Sequence, residues 1–255
     1  MRVYSQISRR YFQLNQPIID FSDVYRRTVK YLGLGDLPFS DQHFKKKCED
    51  LLQGLHEDGE ISDIAKGVRV PFLCPPLPSD TKRGEELVKL AVAVERSFKD
   101  RFLEYEFYNR VEPQFLAGDN VVLAVDSRYE RFEEARRQGV VVGWYFPNCL
   151  SEYDLASQRS QMATLPIFHG HFVLSGGVET ATALIGCPDL LMNRDAYPHH
   201  LCLSALQDID ERFFYSFEAY GLNLVFNRRS NVLTPKVAQL SEQFAGGLTV
   251  FTSWE

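Results

Sequence analysis

The stretch "DIDERFFYSFEAYG" (Asp208–Gly221), followed directly by "LNLVF" (Leu222–Phe226), decides which kind of sheet the sequence implies. The first piece reads as a helix and the second as a strand. The same alternation runs outward on both sides. Upstream, "NVVLAVD" reads as a strand, "RYERFEEARRQG" as a helix and "VVVGWYF" as a strand. "LPIFHGHFVLS" then reads as a strand, "VETATALIGC" as a helix and "HLCLSAL" as a strand. Downstream, "TPKVAQLSEQFAGG" reads as a helix with Pro235 in its first turn, and "LTVFTSW" as a final strand. Several strands are continuous apolar runs. Alternating elements with such runs predict an α/β domain built on a mostly parallel, doubly wound sheet.

Before residue 75 the pattern is different. "DFSDVYRRTVKYLG" predicts a helix with Ser22 as N-cap and Gly33 as its stop. "SDQHFKKKCEDLLQGLHEDG" predicts a second helix, capped by Ser40 or Asp41, with a stripe of Phe44, Cys48, Leu51, Leu52 and Leu55. "VRVPFL" predicts a short strand. The prolines of "CPPLPSD" (Cys74–Asp80) mark a linker. Beyond it Leu87, Ala91, Val94, Phe98, Phe102 and Tyr105 repeat at three and four, which predicts a long helix over Thr81–Tyr108. The expected organisation is therefore a helical module over residues 1–75 and an α/β domain over 81–255, opened by that helix.

With 255 residues, 45% of them hydrophobic, the chain can bury a core without staples. Its net charge is -6; residues 1–70 hold 11 Lys and Arg against 10 Asp and Glu, and the other 185 hold 17 against 24. That balance argues against a general nucleic-acid coat, which needs a basic surface. Five widely spaced cysteines suggest neither a disulfide framework nor a zinc ribbon, and predict reduced thiols in the cytoplasm. No apolar run approaches membrane-spanning length.

The strongest ligand candidate is "HFVLSGGVETATALIGC" (His171–Cys187). A glycine turn between strand and helix aims backbone N–H groups along the helix dipole, which suits a phosphate. Ser175, Gly176 and Gly177 after "HFVL" resemble the signature of the PP-loop ATP pyrophosphatases, S-G-G-x-D-S. The resemblance implies that Ser175, Gly176 and Gly177, with Glu179 at the motif's Asp position, hold the phosphates of ATP, and that the chain uses or binds a nucleotide. Thr180 replaces the motif's Ser, and less chain follows the turn than that fold has. The other expectation is a plain β–α turn.

Other candidates are more dispersed. Asp126, at the end of "NVVLAVD", is the candidate catalytic carboxylate, or with Ser127 the cap of the next helix. His169 and His171 alternate along a strand and are the candidate metal ligands, although spacing marks no third. The order of "HFKKKCEDLLQGLHEDGEISDIAKGVRVPFL" resembles the recognition helix and wing of winged-helix proteins. That resemblance implies contact between DNA phosphates and Lys45, Lys46, Lys47, Lys66 and Arg69. Three functions follow as expectations: a cytoplasmic interaction protein whose partner is another protein, a nucleotide-binding or ATP-using enzyme, and a DNA-binding regulator that senses a ligand. A homodimer is expected if the long helix keeps an uncovered face.

Overall fold

The computed structural model describes residues 12–151, 153–166, 171–230 and 243–254, with only the backbone of His171. Two N-terminal helices come first. α1 (Phe21–Leu32) starts on Asp20, whose carboxylate accepts from the N–H groups of Ser22 and Asp23. Gly33, at φ +63°, ends it. The cap is thus Asp20 rather than Ser22. α2 (Asp41–Glu57) is capped by Ser40. Strand β1 (Val70–Cys74) follows, then α3 (Arg83–Arg101) and β2 (Phe107–Asn109). The middle of the chain gives β3 (Val121–Leu123), α4 (Glu130–Gln138), β4 (Val141–Phe146) and α5 (Leu155–Thr164). The last part gives β5 (His171–Leu174), α6 (Gly177–Gly186), β6 (His200–Cys202), β7 (Leu206–Asp208), β8 (Phe213–Tyr220), β9 (Asn223–Ser230), β10 (Phe244–Ala245) and β11 (Leu248–Ser253).

The expected parallel, doubly wound sheet is not what forms. One sheet has the order β1-β4-β11-β5, and every neighbouring pair in it is antiparallel. A second has the order β10-β6-β8-β9-β2, antiparallel through its centre and parallel only at its two outer pairs. β3 and β7 form a small antiparallel ribbon. The overturning element is β8. Phe213–Tyr220, expected as helix, forms an eight-residue strand that turns back on β9 with Tyr220 opposite Asn223. Gly221, at φ +62°, takes the left-handed backbone such a two-residue turn requires. Tyr215, Phe217 and Ala219 alternate with Ser216 and Glu218, so one face of the strand meets the core and the other carries polar groups. The expected final helix, residues 234–247, lies largely outside the described residues; its end is β10 and the turn into β11.

The winged-helix arrangement of residues 1–75 is corrected with it. The expected wing strand, β1, has all five residues buried and pairs with β4, Val70 opposite Tyr145 and Cys74 opposite Val141. α1 and α2 lie on the same sheet. The Trp144 indole N–H donates to the Cys48 carbonyl at 2.7 Å, and the Phe39 and Trp254 rings stack at 3.6 Å. One buried cluster runs from Val24 and Phe44 through Phe72 and Leu87 to Phe251. Helix α6 is buried on all sides, ten residues of ten, between α1, α3 and β1. Its apolar residues on every side suit that position, and the Glu179 and Thr182 side chains within it are hydrogen-bonded. Arg27, 4% exposed, ties the helices together by donating to the Ile185 and Ser97 carbonyls and to Ser97 Oγ. The α3 stripe of Leu87, Ala91, Val94 and Phe98 is buried against α6 and α1, so the chain's own helices cover the face on which a dimer was expected.

Candidate functional site

The Ser-Gly-Gly turn does sit between β5 and α6, as its sequence predicts, but it is sealed. Ser175 and Glu179 are both 0% exposed, and Gly176 and Gly177 are buried. The Gly176 N–H donates to Glu179 Oε1, so the helix start is capped by its own third residue. Tyr129 Oη donates to Glu179 Oε2 at 2.6 Å, and Ser175 Oγ meets Thr249 Oγ1 at 2.8 Å. Side chains of the chain itself pack directly against both glycines. A Cβ on Gly176 would lie 2.5 Å from the Tyr129 ring, and one on Gly177 would lie 2.3 Å from Leu87 Cδ2. These glycines allow close approach of Tyr129 and Leu87. Burial raises the Glu179 carboxyl above its ordinary range, against the opposing pull of the Gly176 N–H and the Tyr129 hydroxyl.

The Asp126 loop is brought beside this turn, since the Leu174 N–H donates to the Ser127 carbonyl at 3.0 Å. Asp126 itself is exposed at φ +62°, next to Val125 at 77% exposure. Ser127 is buried, and its Oγ accepts from the Tyr129 N–H. His169 lies outside the described residues, and no side chain is described for His171. The basic candidates are occupied locally. Lys45 pairs with Glu49 at 3.8 Å, Lys47 sits over the Trp254 ring, Lys66 pairs with Asp63, and Arg69 donates to the Ala65 carbonyl; Lys46 is exposed.

A feature with no sequence signal lies elsewhere. The end of α3, the loop from Asp189 to Pro198 and the β8–β9 turn enclose an open groove with two lobes of about 710 and 350 Å³. Its floor includes Phe102, Tyr105, Met192 and Leu222, and its lips carry Leu103 and Tyr197, 87% and 70% exposed. Arg101, Glu104, Asp189, Arg194 and Asp195 supply charges of both signs around it. An open apolar floor with a charged rim is the usual anatomy of a protein-contact surface.

Near the groove, His199 is 8% exposed, and its Nδ1 meets no hydrogen-bond partner among the described residues. Burial, and secondarily His200, lowers it from 6.5 to about 4. Above pH 6.5 both folded and unfolded chains hold it neutral. Below that, the unfolded chain takes a proton that the folded chain refuses, so stability falls between pH 6.5 and 4 by about 3 kcal/mol. Urea denaturation across this range is expected to show that loss, and His199→Phe is expected to remove most of it. An unchanged slope in the variant would refute the assignment.

Compared with protein-family models, curated proteins and solved structures, the chain matches none. The fold is a mixed α/β architecture with mostly antiparallel sheets. No helix among the described residues is long and apolar enough to cross a membrane.

Proposed function

We propose that this chain is an interaction protein that takes a segment of another protein in the groove between the end of α3, the Asp189–Pro198 loop and the β8–β9 turn. The observation that carries the reading is the pair of large apolar side chains, Leu103 and Tyr197, held 87% and 70% exposed over an apolar floor. Exposing them costs the chain burial it could otherwise gain, which is expected where a partner supplies the cover. Two further facts support it. The glycine turn offers its Gly176 N–H to Glu179, and the candidate DNA-facing residues Lys45, Lys66 and Arg69 meet their own neighbours. Five buried free thiols fit a reducing compartment, and we place the protein in the cytoplasm.

Selection from a displayed peptide library tests this. The wild-type chain is expected to enrich peptides with apolar anchors, and Leu103→Asp/Tyr197→Asp is expected to weaken their binding at least ~10-fold, as for loss of two interface anchors. Peptides that bind the double variant equally well would sink the groove. A rise in melting temperature with ATP and magnesium would favour the nucleotide-binding reading instead.

A further inference from the structure

Strand β2 is the outermost strand of the second sheet. Its inner side is fully defined. The Leu224 N–H donates to the Glu106 carbonyl at 3.0 Å, and the Arg110 N–H donates to the Phe226 carbonyl at 2.9 Å. In a parallel ladder alternate residues turn to the same neighbour, so Glu106, Tyr108 and Arg110 address β9. Phe107 and Asn109 then turn both N–H and C=O outward, and no strand among the described residues pairs with that side. The side chains of Glu106, Tyr108 and Arg110 share one face by the two-residue period. All three are exposed, and the Arg110 guanidinium lies 6.0 Å from the Tyr108 ring and 5.8 Å from the Tyr220 ring.

We propose that this edge pairs with the same edge of a second copy, antiparallel about a two-fold axis through Tyr108. That register sets Phe107 opposite the partner's Asn109, and each such pair exchanges two backbone hydrogen bonds. It sets Tyr108 against the partner's Tyr108 in a close, non-hydrogen-bonded pair. It also sets Glu106 opposite the partner's Arg110, and Arg110 opposite the partner's Glu106. The backbone phase and the charges were fixed independently, yet both select the same register. A second copy fits better than an arbitrary strand because "EFYNR" is complementary in charge to itself read backwards. The surface pair of Glu106 with Lys99, 54% and 46% exposed, costs little to exchange. Extension is self-limiting: Glu104 and the partner's Glu112 would face each other beyond the five-residue ladder, so the dimer is weak and concentration-dependent.

Sedimentation over a range of concentrations is expected to show the 29.3 kDa monomer moving toward twice that mass. Glu106→Arg and Arg110→Glu each place like charges opposite one another twice, and each is expected to weaken association by roughly tenfold. Combining them restores opposite pairs and is expected to recover most of that loss. Asn109→Pro removes an outward N–H without removing a β9 ladder bond and is expected to keep the chain monomeric; Asn109→Ala, which also loses the Oδ1 that accepts from the Val111 N–H but keeps the backbone N–H, is the control expected to dimerise. Tyr108→Cys adds an independent readout, since close pairs in this ladder sit at disulfide distance and the five native cysteines are buried. Mild oxidation with diamide is expected to give a covalent dimer in that variant and not in Tyr220→Cys. A monomer at every concentration, or a dimer indifferent to both charge reversals and to Asn109→Pro, overturns the proposal. Neither result bears on the groove, which is read out by peptide binding at other residues.

Discussion

Glu179→Ala is expected to destabilise the chain by about 3 kcal/mol. The substitution removes the cap from the Gly176 N–H, leaves the buried Tyr129 hydroxyl without its acceptor, and opens a small void. Glu179→Gln separates these losses from the charge. Its amide oxygen can accept from Gly176 N–H while its amide group donates to Tyr129 Oη, so the variant is expected to match the wild type or exceed it at neutral pH. The sign follows from the raised carboxyl pKa. The folded chain holds that proton to higher pH than the unfolded chain does. The contribution is therefore greatest at low pH and is lost as pH rises through the raised value. Glutamine carries no proton to lose and is expected to abolish this dependence. Urea titrations of the three proteins at several pH values would decide it. An alanine variant as stable as the wild type would mean that the cluster does not hold the turn.

Gly143→Ala is expected to cost about 3 kcal/mol or more, or to leave no folded protein. Gly143 is in the interior of β4, flanked by β1 and β11. A Cβ there would lie 2.1 Å from the Val250 carbonyl oxygen and 2.9 Å from Phe251 Cα, so backbone rather than a mobile side chain would have to move. Gly54→Ala is the contrasting case. Gly54 sits inside α2 with nothing within 4 Å of a Cβ, and alanine there is expected to stabilise by about 0.5–1 kcal/mol. Comparing denaturation midpoints of the two variants checks both. Equal effects of the same sign would contradict the packing around β4.

Part of the chain's local structure is legible in its sequence. The stripe and Ser40 cap of α2, the apolar runs of β4 and β11, and the β5–turn–α6 junction all follow from short-range rules. What was not legible depends on residues far apart in sequence. "RYERF" gives no sign that Tyr129 will close over Glu179, 50 positions away, because only the fold brings that hydroxyl to that carboxylate. Leu103 and Tyr197 are ordinary apolar residues in sequence, and their exposure is a property of three segments meeting. α5, with apolar residues only at scattered positions, gave no helical stripe to find.

By itself, then, the sequence determined several local features, such as the Ser40 cap and stripe of α2 and the Gly33 stop of α1, through patterns acting over a few residues; the helix expected over Thr81–Tyr108 instead ends at Arg101, and β2 begins at Phe107. The tertiary structure alone decided the direction of the strands and what packs around the glycine turn. "ERFFYSFEAYG" has enough aromatic residues for either a helix or a strand. Pairing of Phe213–Tyr220 with Asn223–Ser230, and burial of Tyr215 and Phe217 in a shared core, selects the strand and makes the sheet antiparallel. The Ser175–Gly177 turn has the right local form for a phosphate. In the fold Tyr129 and Leu87 pack against its glycines, a contact that short-range patterns do not register.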